Sequence, residues 1–356
     1  MKTLNLKSLS NRSVFTGIMA ALFILTALVA SADDFTKTYK EKYPVQKGAT
    51  LNVVNKFGDI HCQVWEQSSV AITVTITVDA ASQEKANKVM EKISVSLSGS
   101  ASLVQGKTEV GNISNGDFSI DYDIMMPKWM NIDLDNSFGE IYLGVVDGTT
   151  KINLEYGAMK AEAMNGNASD LTIKFSESDV LYFKDGEVSV EYGGFKSEGA
   201  GNLDLYSRFS KVEVDKLEIL NLDSQYDEIQ IGSSGQVVAI GRFSGTNFDK
   251  ITGTFEFDSE YGDIEVDYIG AGFVSGKVRN SFAGTNLTFD PKASFNVDAE
   301  VEFGDFDYPS ANTSVNEQTV GYTTNIYKGK IGSSAASPGL LTVRSKHANV
   351  NIEFAD

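Results

Sequence analysis

The sequence predicts an all-β protein: a parallel β-solenoid of short repeated coils, with an N-terminal β-rich cap that contains one helix. Three observations support this prediction. Variants of one short motif, a polar residue followed by an aromatic and a small residue, recur at steps of 17 to 21 residues. Alternating apolar and polar residues, typical of strands, flank each motif. Loops rich in Gly, Asn and Asp close each unit, as expected for a repeat that packs only on its neighbours.

The repeated motif is built around an aromatic corner residue, and its clearest copy is NSFGEIYLG at residues 136–144. The corner aromatics that follow the same grammar are Phe138, Tyr156, Phe175, Tyr192, Phe209, Tyr226, Phe243, Tyr261, Phe282 and Phe303. Because Phe and Tyr alternate over much of this set, two coil sizes fit. A coil of about 17 residues places all the rings in one stacked column, whereas a coil of about 34 residues places them in two columns. We favour the shorter coil.

The first 32 residues have the order of a secretory signal peptide. Lys2, Lys7 and Arg12 precede a largely apolar run, and Ala30-Ser-Ala32 supplies small residues for cleavage. An uncleaved membrane anchor is the alternative, but the apolar run is short for a membrane span. We therefore expect an exported protein, located in the periplasm, on the outer surface or outside the cell, without stable membrane insertion after cleavage.

Two further segments follow the signal peptide. Residues 33–130 are predicted to form a β-rich capping module, with a clear strand at residues 70–78 and a helix at residues 81–93. The N-cap of this helix is expected at Asp79 or Ser82. Residues 131–356 are predicted to form the solenoid repeats and a C-terminal cap. Residues 345–352 resemble a last, degenerate corner that closes the array.

Charge and cysteine content exclude several classes of function. The net charge is −18, and removal of the three positive charges of the signal peptide makes it about −21. Such a chain is repelled by phosphate backbones, so nucleic acid is not an expected partner. Cys62 is the single cysteine, which rules out an intramolecular disulfide. It is expected to be a small buried side chain in a strand.

No catalytic, cofactor-binding or metal-binding residue is predicted, and no cofactor is expected. His61 and His347 are the only histidines and lie far apart in sequence, which disfavours a histidine-based triad or metal site. Acidic residues recur at the corners and could stack into an acidic column along one edge, which could hold Ca²⁺ but more simply serves hydrogen bonding or solvent exposure. These residues are Asp59, Glu140, Glu155, Glu191, Asp227, Glu260, Asp263, Glu302 and Asp305.

The corner aromatics also have two possible roles. Their fixed period favours internal ladders in the core of the protein. A platform on which sugar rings stack is the alternative.

Four motifs, in this order, resemble the putative adhesin family of bacterial envelope proteins. They are residues 55–60 followed by Val64-Trp65, the helix at 81–93, residues 126–134, and residues 136–141. The resemblance covers nearly all of the chain after the signal peptide. It implies stacked β-coils behind an N-terminal module, and a role in adhesion. It brings no ligand-binding residues with it.

The expected function is therefore that of an exported, non-enzymatic binding or structural protein, a putative adhesin that presents a β-solenoid surface to an envelope, glycan or protein ligand. Two alternatives remain. The first is an accessory protein of an envelope-stress or signalling system. The second is a polysaccharide-active enzyme of the β-helix type, which an irregular acidic cluster in a groove lined by Lys or Arg would favour.

Overall fold

The computed structural model describes residues 33–114, 116–320, 322–333 and 339–356. Over these residues the protein is all-β, as predicted, with 26 strands in one hydrogen-bonded sheet and a single helix. The predicted signal peptide lies outside the described residues. No helix in the described part of the chain is long and apolar enough to span a membrane.

The predicted helix is present as α1 (Gln83–Met90), and Ser82 is its N-cap. The hydroxyl of Ser82 accepts a hydrogen bond from the backbone N–H of Lys85 at 3.4 Å, which satisfies one of the free N–H groups of the first turn. Ala86 and Met90 are buried, and the helix lies against a neighbouring strand. The prediction of an N-terminal helix is therefore confirmed.

The strands before residue 130 form both antiparallel and parallel pairs. They are β1 (Asp33–Pro44), β2 (Thr50–Lys56), β3 (Ile60–Val64), β4 (Ser69–Ala80), β5 (Ile93–Gly99), β6 (Leu103–Val110) and β7 (Asp117–Met126). Strand β4 pairs antiparallel with β1 and β7, and β5 pairs antiparallel with β6. By contrast, β2 pairs in parallel with β6, and β3 with β7.

The middle of the chain consists of strands that pair in parallel with the next repeat. They are β8 (Asn131–Ser137), β9 (Glu140–Leu143), β10 (Thr150–Glu155), β11 (Ala158–Met164), β12 (Ser169–Lys174), β13 (Glu177–Glu191), β14 (Gly194–Arg208), β15 (Lys211–Gln225), β16 (Glu228–Arg242), β17 (Gly245–Glu260), β18 (Ile264–Ile269), β19 (Ser275–Ser281) and β20 (Thr285–Phe289). Val188 pairs with Leu205, and Leu205 with Leu222, so neighbouring strands are one repeat apart. This is the register of the shorter unit.

The C-terminal strands do not stack in chain order. They are β21 (Phe295–Glu302), β22 (Phe306–Asp307), β23 (Thr313–Val320), β24 (Thr324–Ile331), β25 (Gly339–Lys346) and β26 (Val350–Phe354). Strand β25 lies between β19 and β21, and β26 lies between β20 and β22. The corner at residues 345–352 was expected to cap the array; instead it fills the next-to-last level. The antiparallel hairpin of β23 and β24 continues the sheet beyond β21.

The N-terminal end has the same kind of exchange. Strands β2 and β3 pair in parallel with β8 and β9 on one side, and with β6 and β7 on the other. The motif at residues 55–60 therefore stacks directly on the motif at residues 136–141. At each end of the array, a segment distant in sequence is hydrogen-bonded into the stack.

Alternation within the strands sends every second side chain into a continuous core. One column of this core joins twelve buried residues through paired strands: Val53, Leu134, Ile152, Leu171, Val188, Leu205, Leu222, Ala239, Phe257, Val278, Val343 and Ala299. Each of these residues belongs to one repeat, which we call one level of the stack. No level buries its apolar side chains without the levels next to it, so burial of this column favours the whole array together.

Candidate functional site

Aromatic corner residues form a continuous column on the outside of the protein. We call this column the aromatic ladder. In the order of the levels its rings are Phe57, Phe138, Tyr156, Phe175, Tyr192, Phe209, Tyr226, Phe243, Tyr261, Phe282, His347 and Phe303. Phe and Tyr interleave in this one column, which is the arrangement expected for the shorter coil. His347 occupies the ring position between Phe282 and Phe303.

The rings of the ladder are regularly spaced and nearly parallel to their neighbours. Neighbouring ring centroids are 4.7 to 5.2 Å apart, and neighbouring ring planes differ by 2 to 18°. With eleven steps close to the 4.8 Å separation of paired strands, the ladder is roughly 50 Å long. At its N-terminal end, Phe118 contacts Phe57 edge-on at 5.4 Å. The ring spacing thus follows from the strand pairing.

Every ladder residue has a left-handed backbone, with φ between 49° and 65°. This conformation is uncommon for residues other than Gly, Asn and Asp and costs about 1–2 kcal/mol per residue. It turns the chain through the corner and points the side chain away from the core. The ten rings from Phe138 to Phe303 that are Phe or Tyr remain 44–52% exposed.

The expectation that these aromatics form ladders inside the core was wrong. They do form a ladder, but at the surface, because a left-handed residue interrupts the alternation that sends side chains inward on either side of it. The core positions nearest the corner belong instead to the residue two before the ring and the residue three after it, such as Val190 and Phe195 around Tyr192. A period in sequence could not distinguish these two placements.

Gly and Ser alternate at the position after each ring because the two residues hydrogen-bond between levels. The Ser hydroxyl of one level accepts a hydrogen bond from the backbone N–H of the level before it. Gly157 donates to Oγ of Ser176 at 3.0 Å, and Gly193 donates to Oγ of Ser210 at 3.3 Å. A level with Gly at this position therefore donates its backbone N–H to the Ser hydroxyl of the next level. This bond satisfies a corner N–H group that has no partner in the strand pairing.

Asp227 follows the ring of Tyr226, at a position where the alternation would place Gly, and it is buried. Its Oδ1 accepts from the backbone N–H of Ser210, and its Oδ2 accepts from Oγ of Ser224 and the N–H of Gln225, each at 2.8 Å. Burial raises the pKa of its carboxyl above the ordinary 3.8, although these hydrogen bonds oppose the change.

The raised pKa of Asp227 predicts a pH dependence of stability. A carboxyl whose pKa is higher in the folded state contributes stability below its unfolded pKa, and loses that contribution as the pH rises through the folded pKa. Asp227→Ser, which supplies the hydroxyl found at Ser210 and Ser244, removes this titration. We expect the wild-type minus variant free energy of unfolding, from urea titrations between pH 3 and 7, to fall as the pH rises above 3.8. A difference that is flat or rises with pH would contradict this assignment.

A row of charged and polar residues runs beside the ladder, immediately before each ring. We call this row the charged flank. Its members, in the order of the levels, are Lys56, Ser137, Glu155, Lys174, Glu191, Arg208, Gln225, Arg242, Glu260, Ser281, Lys346 and Glu302. Basic and acidic residues alternate over much of it, and Lys174 lies 3.5 Å from Glu191.

The predicted acidic column is therefore wrong. Four of the acids lie on the charged flank among basic and uncharged residues: Glu155, Glu191, Glu260 and Glu302. Asp227 is buried and hydrogen-bonded to Ser210, Ser224 and Gln225. The remaining corner acids lie on the other side of the ladder. Asp59 and Glu140 are at neighbouring levels there, but Ala, Gly, Lys and Asn interrupt the row before Asp263 and Asp305. No cluster of three His, Cys, Asp or Glu side chains suited to a metal ion is found among the described residues.

A surface groove of about 720 Å³ lies on the outer face near the N-terminal end, between the levels of Phe57 and Phe175. Its walls include His61, Tyr142, Lys160 and Asp179, which are consecutive members of one row of paired strands. The rings of His61 and Tyr142 meet edge-on at 4.4 Å. The groove does contain a lysine and carboxylates, as the enzyme alternative requires, but they belong to a regular row rather than to a local cluster.

The groove does not contain an activated thiol. Cys62 lines its floor but is buried, as predicted, and burial raises the pKa of its thiol to about 12. The nearest carboxylate oxygens to His61 are those of Asp123 and Asp59, at 3.8 and 3.9 Å, which is longer than a hydrogen bond. The other histidine, His347, is stacked in the ladder. The structure thus keeps the two histidines apart.

No protein-family model matches the chain, and neither does any curated protein. Solved structures give matches of low similarity. A putative adhesin from Parabacteroides merdae is 11% identical, with a TM-score of 0.38 over 70% of this chain and 95% of its own. A putative adhesin from Bacteroides fragilis is 9% identical, with a TM-score of 0.32 over 90% and 97%. A putative lipid binding protein from Parabacteroides distasonis is 7% identical, with a TM-score of 0.27 over 88% and 96%. TM-scores this low do not carry a function from those proteins to this chain.

Proposed function

We propose that this chain is an exported, non-enzymatic binding protein of the adhesin type, whose parallel coils wind as a β-solenoid and whose aromatic ladder is the contact surface. The observation that carries the proposal is the ladder itself. Twelve rings are placed side by side on the outside of the protein, most of them about half exposed. Contiguous apolar surface of this extent is typical of interaction sites in soluble proteins.

Stability alone is a weak explanation for the ladder. A stacked aromatic pair contributes about 0.5–1.5 kcal/mol beyond the area it buries. The left-handed backbone of each ladder residue costs a similar amount, about 1–2 kcal/mol. With roughly one stacked pair per ladder residue, the two terms nearly cancel. Gly or Asn would turn the same corner without the cost, so the retained rings point to a role at the surface.

The stacking also indicates the chemistry of the ligand. A sugar ring binds an aromatic side chain against the ring face, but here each face is covered by the ring of the next level, about 5 Å away. The exposed parts are the ring edges, which form an apolar strip bordered by alternating charges. Such a strip complements a protein surface that has its own apolar strip and charged border. We therefore favour a protein ligand over a glycan.

The proposed organisation follows the sequence. Residues 1–32 are a signal peptide, residues 33–130 a β-rich capping module, and residues 131–356 the solenoid with its C-terminal cap. Export to the periplasm, the outer surface or the extracellular space is supported by the basic, apolar and small-residue order of the first 32 residues.

A triple substitution in the middle of the ladder tests the proposal. Phe209→Asn, Tyr226→Asn and Phe243→Asn together remove three neighbouring rings and keep a residue that accepts the left-handed backbone. Binding is measured on an array of bacterial and host glycans, matrix proteins, envelope proteins and immobilised copies of this chain, with and without Ca²⁺. We expect saturable binding to a protein and an affinity at least about tenfold lower for the variant, because central aromatic residues dominate interface energies.

The matched control changes three apolar residues of similar exposure away from the ladder: Tyr182→Thr, Ile219→Thr and Val238→Thr. We expect this variant to bind as the wild type does. Binding that survives loss of the three rings, or that the control abolishes equally, would overturn the ladder as contact surface. A bound glycan that is slowly degraded would instead support the enzyme alternative.

A further inference from the structure

We propose that the partner of the aromatic ladder is a second copy of this chain, bound antiparallel, with the two-fold axis level with the gap between Phe209 and Tyr226. This inference rests on the proposed function, since it names the partner of the same surface. The ladder has twelve levels, so the two-fold axis places each level of one copy opposite a defined level of the other, first against last. The ring pitch is the same in both copies, and the two ladders therefore stay in register over their whole length.

The charged flank is self-complementary in this arrangement. A two-fold axis that runs across the ladders faces the charged flank of one copy against the same flank of the other, in opposite directions. Lys56 then faces Glu302, Lys174 faces Glu260, and Glu191 faces Arg242. The three remaining level pairs each contain at least one uncharged residue, Ser137, Ser281 or Gln225. No position of the charged flank meets a like charge, and each favourable pair occurs twice by symmetry.

The row beyond the charged flank obeys the same rule. Its members, in the order of the levels, are Val54, Asp135, Asn153, Thr172, Ser189, Tyr206, Asp223, Ile240, Asp258, Arg279, Arg344 and Glu300. Under the same axis Asp135 faces Arg344, and again no like charges meet. The following row breaks the rule, because Lys151 would face Lys277 and Asp170 would face Glu256. Complementarity therefore ends two rows from the ladder.

The residues on the side of the ladder opposite the charged flank indicate on which side the two copies make closer contact. There, two residues after each ring, the antiparallel arrangement would set Asp59 against Asp305 and Glu177 against Asp263. These like charges favour a contact that closes on the charged flank and opens on the other side. A parallel pair is less favourable, because it would set the charged flank against this opposite side at equal levels. Three level pairs would then bring like charges together: Arg208 with Lys211, Glu260 with Asp263, and Glu302 with Asp305. They outnumber the two attractive pairs, Lys56 with Asp59 and Lys174 with Glu177.

The ladder is large enough for a stable interface. A Phe or Tyr side chain presents about 200 Å², so a half-exposed ring offers about 100 Å² and the ten Phe and Tyr rings from Phe138 to Phe303 roughly 1,000 Å² per copy. A standard interface buries about 800 Å² per partner. Burial of the ring edges and the inner part of the charged flank therefore meets the requirement without any contribution from the sheet faces.

The experiment is a charge-swap series on the pair Lys174 and Glu260, with the dimer measured by sedimentation equilibrium at several protein concentrations. The two-fold axis makes the contact between positions 174 and 260 occur twice in the dimer. Lys174→Glu places two carboxylates opposite each other at both contacts. Glu260→Lys places two ammonium groups opposite each other at both contacts. We expect each single variant to weaken the dimer at least about tenfold. We expect an equimolar mixture of the two single variants, and the double variant, to recover wild-type association. Only an antiparallel register that joins these two levels predicts recovery in the mixture.

The control is Glu155→Lys, the same kind of charge reversal on the same flank at a level that faces Ser281. We expect its dimer to be unchanged. A wild-type protein that is monomeric at about 100 µM, a value far above the Kd of specific complexes, would overturn the dimer. So would a dimer that the single variants leave intact, or a mixture that fails to associate. In those cases the ladder variant of the binding array still tests the proposed function independently. A dimer that also survives loss of the three central rings would place the contact between copies outside the ladder and overturn this inference, while the binding array decides the proposed function.

Discussion

Gly193→Ala is expected to lower the free energy of unfolding by about 3 kcal/mol, a large effect for the addition of one methyl group. Gly193 follows the ring of Tyr192 and lies directly against the level before it. A Cβ on this residue would overlap the backbone carbonyl oxygen of Ser176. Backbone cannot rotate away as a side chain can, so the strand pairing on both sides must shift. Urea unfolding followed by circular dichroism measures the loss.

Gly245→Ala is the matched control, because a Cβ at Gly245 has no atom within 4 Å. It lies on the same side of the ladder, two residues after Phe243, and is expected to change stability by less than about 0.5 kcal/mol. Equal losses for the two variants would show that contact between levels does not set the cost, because the backbone entropy of the unfolded chain favours alanine at both sites. The comparison thus measures how tightly successive corners are stacked.

Local sequence patterns were enough to predict an all-β protein, a helix with its N-cap at Asp79 or Ser82, and the identity of the corner residues. The structure selects Ser82 as the N-cap. These features are local: alternation sets strand faces, and the aromatic and small residues mark the turns. The buried column from Val53 to Ala299 follows from the same alternation, level after level.

The direction of the ring side chains could not be predicted from the same signals. Alternation tells inward from outward only while the backbone stays extended, and each ring lies at the residue where it does not. One usable signal was present. A polar or charged residue precedes most rings and a Gly or Ser follows them, which suits an exposed corner better than a core position. Because the rings point outward at a tight corner, the residue before each ring is exposed and can be polar, and the residue after it must be small.

The order of the levels also depended on information that a repeat does not contain. His347 fits the corner grammar, yet its level lies between those of Phe282 and Phe303. Strand pairing between β25 and both β19 and β21 sets this position. A sequence motif specifies the conformation of a corner but not which neighbouring level it joins, so insertion out of chain order was missed.

Substitutions at Phe209 are expected to rank Tyr, Asn and Val in order of increasing loss of stability, with Phe209→Val costing about 3 kcal/mol. Val loses both stacked neighbours, the rings of Tyr192 and Tyr226 at 5.0 and 4.9 Å. It also places a β-branched side chain on a left-handed backbone with φ of 50°. Asn loses the same stacking but tolerates the backbone, so its expected cost is about 1 kcal/mol. Tyr keeps the ring stacking and has the same backbone cost as Phe, so its free energy of unfolding should differ from that of the wild type by less than about 0.5 kcal/mol.

The ranking separates hydrophobicity from backbone conformation as the source of corner stability. Val is far more apolar than Asn, so an exposed apolar site governed by burial would favour Val. Urea unfolding of the three variants decides between these orders. If Val proves as stable as Asn, the corner is not held in the left-handed region in solution, and the outward direction of the rings loses its physical basis. If Asn is the more stable, the backbone itself fixes the ladder at the surface, whatever aromatic residue occupies it.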